Sequence, residues 1–320
     1  MRLAAPLVSH RKRFGPAWRT SGRGRAPSTC SALKHLSELG ELGLLEELER
    51  RGLIAGLDAE GAVFPDGRVV TQDTVVEGVH FPVDWPMWRE LGYKAAAVNL
   101  SDLAAMGAEP EGLVVTIAAP AATTSSAIAE LYEGLNEPGV PVLGGDLSSS
   151  PFISVTVTAL GRSERVPGRA GARPGDHVVV TGPLGAAAAG FYAMQHDLGG
   201  FEELVERQRR PVFRLEEGRR LARSAHAMID ISDGILRDAA RIAERSGVRF
   251  VIEPDAVPRA EGIERVADLP FWTMGEDYEL LAALAPEDAR ASGLAAVGRV
   301  EEGSGVDPEL PSAGWDAFRR

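Results

Sequence analysis

The stretch Gly92–Pro110, G-Y-K-A-A-A-V-N-L-S-D-L-A-A-M-G-A-E-P, constrains the fold of this chain more than any other. Between Ala95 and Ala108 its only ionisable side chain is Asp102, and Ala, Val, Leu and Met make the remainder apolar nearly all the way round. A helix of that kind has to be buried. Gly107 offers a left-handed cap and Pro110 a stop beyond it, so the helix is expected to end near Met106. At helical spacing Leu91, Ala95, Val98, Asp102 and Ala105 form one stripe, which sets the carboxylate on a packed face. There it must be hydrogen-bonded, paired, bound to a cation or protonated. A lone buried Asp can equally cap a neighbouring loop, so the rest of the chain has to decide.

With 320 residues, 44% hydrophobic and 25% charged, the chain is long enough for two domains with a core each. It contains no apolar run of membrane-spanning length, so no membrane partner is expected. Residues 1–34 carry eight Lys or Arg and no Asp or Glu, which leaves the remainder at a net charge of −20 against −12 for the whole. A body that acidic does not attract nucleic acid by its field, but it can hold divalent cations. The basic start, rich in Ser, Gly and Pro, reads as a disordered arm, as a transit peptide, or as the product of an upstream start codon. The single Cys30 excludes an intrachain disulfide and a Cys-based zinc site, in keeping with the cytoplasm.

Along the chain, a short helix carries Leu39, Leu42, Leu45 and Leu48 and stops at Gly52. A strand is expected over 69–76, V-V-T-Q-D-T-V-V, with Asp73 in mid-strand, where Asp is disfavoured unless solvated or there for a reason. Beyond the buried helix come a strand at 113–119, a helix at 125–135 and a short strand at 140–143 ending in Gly144-Gly145-Asp146. Residues 152–160 alternate as a half-buried antiparallel strand, and 161–175 is the best linker. The domains are therefore expected at 35–162 and 163–320. The second is expected to hold a strand at 177–181 and a Gly182-Pro183-Leu184-Gly185 turn, which can bind an anion at a helix N-terminus but is more often a tight connection. Then comes M-I-D-I-S-D-G before a helix at 235–246, where Ser232 and Asp233 can each be read as a helix cap.

Asp73, Asp102, Asp146, Asp230, Asp233 and Glu276 thus recur at strand ends and on the buried helix. Several carboxylates in one cleft repel each other unless cations neutralise them, and Mg2+ is the natural candidate because it takes carboxylate and phosphate oxygens. There is no zinc spacing among the six His, no G-x-S-x-G elbow and no Rossmann fingerprint. Residues alone therefore point to metal-assisted phosphoryl transfer.

In order, V-V-T-Q-D-T-V-V-E-G-V-H-F, the Gly92–Pro110 stretch, G-G-D, D-I-S-D-G and G-E-D-Y-E-L resemble the thiamine-monophosphate kinase family. That family falls within the aminoimidazole ribonucleotide synthetase and selenophosphate synthetase superfamily. The resemblance spans roughly residues 36–318. It implies an α+β, two-domain aminoimidazole ribonucleotide synthetase-like fold with mixed or antiparallel sheets and helices packed on one face. It also implies a homodimer built through the first sheet, and direct transfer of the γ-phosphoryl of ATP to thiamine monophosphate with several Mg2+ ions. By position, Glu60, Thr71, Gln72, Asp73, Asp102, Asp146, Asp230 and Asp233 are the implied metal ligands, with Asp102, Asp146 and Asp233 catalytic. Tyr132, Gly145, Asp146, Arg169 and Ser232 are implied nucleotide contacts, and His80, Glu276 and Trp315 substrate contacts. Glu60 stands where the family has Asp, one methylene longer, and Gly61 beside it is expected to let the loop back away. Alternatives are another ATP-using superfamily member and a non-catalytic nucleotide or thiamine phosphate binder.

Overall fold

The computed structural model describes residues 35–54, 56–82 and 87–308. The basic arm 1–34 and the tail with Trp315 lie outside the described residues. The first half runs α1 (Leu36–Arg50), β1 (Ala62–Val63), β2 (Arg68–Val76), α2 (Trp88–Ala105), β3 (Glu109–Ala119), α3 (Ser125–Asn136), β4 (Val142–Ser149) and β5 (Ser154–Arg162). The second runs β6 (His177–Val180), α4 (Ala186–Gln195), α5 (Glu202–Arg209), α6 (Leu215–Leu221), β7 (Ala227–Asp230), α7 (Ile235–Ser246) and β8 (Arg249–Ile252). It ends with α8 (Ile263–Val266), β9 (Leu280–Leu284), α9 (Pro286–Ser292), β10 (Ala295–Glu301) and β11 (Gly305–Asp307). Among the described residues the strands form a five-stranded sheet, β1-β2-β5-β3-β4, and a six-stranded sheet, β11-β8-β10-β6-β9-β7. Each sheet is mixed, antiparallel except for β3 with β4 and β11 with β8. No helix among the described residues is long and apolar enough to cross a membrane.

The buried helix is α2, and its all-round apolar character has a direct cause. Leu91, Ala95, Ala96, Leu100 and Leu103 pack with Val155, Val157 and Ala159 of the first sheet. Ala104 and Ala105 instead join Val179, Leu221, Ala222 and Met228 of the second half. The helix is clamped between both halves, and every residue from Lys94 to Ala105 is buried. Its crossing with α3 is backbone against backbone, because a Cβ on Gly92 would lie 2.0 Å from the Leu131 carbonyl oxygen and one on Gly134 1.8 Å from that of Arg89. As expected, α2 ends at Ala105, with Met106 as cap and Gly107 left-handed at φ 62°.

Several boundaries differ from the sequence reading. β3 begins at Glu109 instead of residue 113, and Pro110 sits near its start, at a register shift against β5, where its missing N–H is tolerated. Gly144-Gly145-Asp146 is not a turn: it lies inside β4, paired in parallel with Val114–Thr116. Tyr278 has φ 53° and cannot extend a strand, so β9 begins at Leu280. The segment 161–175 is no free linker, since the Gly168 carbonyl accepts the Met228 N–H and Arg169 reaches back to residues 57–60.

Candidate active site

A cavity of about 700 Å³ opens beside α2 and is lined from both halves of the chain. Helix α2 contributes Lys94, Val98 and Asp102, four residues apart and so on one face. From the first half also come Glu41, Glu60, Gln72, Asp73 and His80, and from the second Arg169, Ser232, Asp233, Arg241 and Glu276. Apolar Phe191, Tyr192, Leu269, Phe271 and Met274 form the rest of the wall.

At its polar end Glu60, Asp102 and Asp230 each offer an oxygen, all within 4.8 Å of one another. Burial, then repulsion from Asp73, Asp230 and Glu60, pushes the Asp102 carboxyl well above its ordinary range. Asp230 is pushed up to about 7 by burial and by Glu60, although Ser101 Oγ donates to its Oδ2 at 2.6 Å. Asp73 is reached by water on the cavity wall yet walled by protein, and burial followed by Glu60 raises it to about 6. Its strand is tied to α2 through Asn99, whose Oδ1 accepts the Asp73 N–H at 3.0 Å and whose carbonyl accepts the Thr71 hydroxyl at 3.3 Å. An Asp in mid-strand is thus held where it faces the other acids.

Glu60 is also gripped by Arg169, with Nε to Oε1 at 2.9 Å and a second bond from Nη2 to Oε2. Gly61 gives this loop no slack to back away, contrary to expectation. A Cβ there would meet the Val70 carbonyl oxygen at 2.3 Å, so the missing side chain lets the loop press onto β2.

The capping reading of Ser232 and Asp233 is replaced. Asp238, one turn inside α7, accepts the backbone N–H groups of Asp233 and Gly234 at 3.1 and 3.0 Å, leaving Ser232 and Asp233 facing the cavity. Asp233 pairs with Arg241, and its carboxyl is raised by burial against the opposing pull of Arg241 and Arg237.

The wall of the cavity beyond the acidic cluster rests on a strained loop. Gly275, Glu276 and Tyr278 take φ of 93°, 60° and 53°, and Glu276 and Tyr278 donate N–H bonds to the Ser232 and Ile231 carbonyls at 2.8 and 2.9 Å. Lys94, buried on α2, donates to Glu276 Oε2 at 3.2 Å. His80 Nδ1 accepts the Val76 N–H at 3.1 Å, which leaves Nε2 as the donor of the neutral ring, and burial lowers its pKa. Asp277 points away and accepts the Gly185 N–H at 2.9 and 3.0 Å. The G-P-L-G turn therefore has its N–H taken up by a carboxyl of the chain itself and is a connection, not an external anion site.

Not every residue named from the sequence meets here. Thr71 is buried behind the wall, Tyr132 packs half-buried on α3 against the first core, and Gly145 and Asp146 lie exposed on the edge strand β4. None of these four lines the cavity, and Trp315 lies outside the described residues. Sequence reasoning missed Lys94, Arg241 and Glu41. Lys94 was legible as the residue four before Val98 in the same stripe, whereas nothing local marks Arg241 or Glu41.

Residues 58–163 match the family model of AIR synthase related protein, N-terminal domain, and residues 173–309 that of its C-terminal domain. The thiamine-monophosphate kinase of Methanopyrus kandleri is 39% identical over 262 residues, covering 78% of this chain and 84% of that protein. This chain belongs to the thiamine-monophosphate kinase family. Its relative of the same name from Aquifex aeolicus is 32% identical over 305 residues, 88% of this chain and 99% of that one. Among solved structures, AaThiL complexed with AMPPCP and TMP superposes with a TM-score of 0.84 at 30% identity, over 90% of this chain and 100% of the other. The two-domain α+β architecture with two mixed sheets is that of the kinase family, as the sequence motifs implied.

Proposed function

We propose that this chain transfers the γ-phosphoryl group of ATP to thiamine monophosphate, giving thiamine diphosphate and ADP. The observation that carries the reading is a single cavity that gathers the acids of three separate motifs around Arg169 and His80, in a member of this kinase family. The donor set suits a hard divalent cation: Glu60, Asp102 and Asp230 present oxygens only, and the pull of Arg169 leaves Asp102 and Asp230 raised by burial and mutual repulsion. Glu60, Asp102 and Asp230 would hold Mg2+, with Asp73, Asp233 and Gln72 of the same cavity as further ligands. Bound there, the metal cancels charge between two phosphates that repel one another.

The protein's own task is alignment. Arg169 offers a planar fork of donors to phosphate, and Ser232 of the same cavity contacts the nucleotide. His80, Glu276 and Trp315 hold thiamine, the carboxylate of Glu276 complementing the cationic ring. The acceptor phosphate oxygen is already anionic at neutral pH, so the residues need supply neither a covalent nucleophile nor a strong base.

We take residues 35–162 and 163–320 as the two domains and the working unit as a cytoplasmic homodimer. Leu143 and Leu147 of the edge strand β4, 62% and 63% exposed, are apolar side chains on the first sheet that a second copy would cover. The decisive experiment incubates the full chain with ATP, magnesium and thiamine monophosphate and looks for thiamine diphosphate and ADP by mass. Nucleotide binding without either product would make the chain a binder and overturn the reading.

A further inference from the structure

Two arginines reach the cavity in the same way. Arg169 holds Glu60, and Arg241 of α7 holds Asp233, each guanidinium largely buried and each partner a carboxylate proposed above as a metal ligand. Arg169 is also tied to the Leu57 carbonyl, whereas the second anchor of Arg241 is a carboxylate. Arg241 Nη1 donates to Asp238 Oδ1 at 3.3 Å, and Asp238 is itself fully buried and fixed by the N–H groups of Asp233 and Gly234. That three-residue spacing on α7 keeps the guanidinium at the cavity wall whatever Asp233 does. Its Nε is buried with no partner among the described residues. A buried guanidinium at the cavity wall, paired with two carboxylates yet with one donor unused, has room for a further acceptor.

We propose that Arg241 is a second polyphosphate-binding residue, which exchanges its contact with Asp233 for one with the nucleotide when the cleft fills. The inference rests on the kinase reading for the identity of the ligand. In the empty protein the guanidinium neutralises Asp233; in the loaded one Asp233 turns to the metal, and Arg241, still tethered by Asp238, turns to phosphate oxygens. The exchange keeps every buried charge partnered in both states, which a one-partner arginine could not do.

The test measures binding of AMPPCP with magnesium by calorimetry, and of Mn2+ alone by electron paramagnetic resonance, in wild type, Arg241→Gln and Arg241→Lys. Arg241→Gln is expected to bind the nucleotide about 10- to 100-fold more weakly, the usual weight of a charge-assisted bond, while binding Mn2+ at least as tightly because Asp233 is released. Arg241→Lys, which keeps the charge without the fork, is expected between the two and carries the test if the Gln variant does not fold. Unchanged nucleotide affinity, or an equal loss of Mn2+ affinity, would show that Arg241 only positions Asp233 and would overturn the inference. Wild type that binds AMPPCP but makes no thiamine diphosphate would overturn the kinase reading instead, and the variant comparison would still decide the role of Arg241.

Discussion

Arg169 and Glu60, 109 residues apart, meet in a two-point ion pair at the edge of the acidic cluster. From the sequence they had separate tasks, one toward nucleotide and one toward metal. The fold joins them, so that the empty cleft carries its own counterion and Glu60 is held in place before any ligand arrives.

Glu60→Ala should therefore act on both stability and metal use. Breaking a buried pair costs roughly 3 to 5 kcal/mol, and relief of repulsion on Asp73, Asp102 and Asp230 offsets part of it. Denaturant unfolding should show a net loss of at most about 3 kcal/mol. Activity should require more magnesium than wild type, with Glu60→Asp in between. An unchanged magnesium requirement in the Ala variant would remove Glu60 from the ligand set.

Asp102→Asn should separate activity from stability in sign. The amide fits the volume and relieves a buried carboxylate that three acids oppose, so thermal unfolding of the empty protein should rise by about 2–4 °C for each kcal/mol recovered. Turnover should fall by roughly 10²- to 10³-fold, the usual loss for one electrostatic group at a reacting centre. A variant that turns over like wild type would rule out the role given to Asp102.

Asp277 supplies a pH signature outside the metal cluster. Burial raises its carboxyl to about 8 despite the Gly185 and Ala187 N–H groups that favour the charged form. A folded pKa above the unfolded one means that its contribution is fully present below the unfolded value and is lost as pH rises through about 8. Urea unfolding of wild type should thus show stability declining between pH 5 and 8, and Asp277→Asn should flatten that decline. Identical slopes in the two proteins would contradict the assignment.

Lys94→Met removes the cation that fixes Glu276 while keeping the buried stem. The KM for thiamine monophosphate should rise about tenfold, as for the loss of one charge-assisted bond, with AMPPCP affinity unchanged. A loss confined to nucleotide binding would place Lys94 on the other substrate.

Leu147→Asp puts a charge in place of an exposed apolar side chain on the first sheet. Sedimentation should show a dimer for wild type and a monomer for the variant. A dimer that survives the substitution would place the interface elsewhere.

Much of the fold was legible because its signals are local. Alternation marked β5, with Val155, Val157 and Ala159 inward, and Gly107 marked the end of α2, since only a left-handed residue closes the helix there. The failures were equally physical. Gly144-Gly145-Asp146 reads as a turn by composition, yet pairing with β3 holds it extended. Residues 161–175 have linker composition, yet long-range hydrogen bonds pin them.

The sequence by itself determined that one helix must be buried on every side with a carboxylate in it, because an apolar periphery has no other stable place. It also determined the order of the acidic motifs, and through them the family. Which acids share an oxygen cluster, that Arg169 answers Glu60 and Arg241 answers Asp233, and that Asp238 rather than Ser232 binds the backbone leading into α7 were decided only by tertiary structure. Residue spacing along a chain specifies faces of helices and strands, whereas partners from distant segments are chosen by how those faces pack.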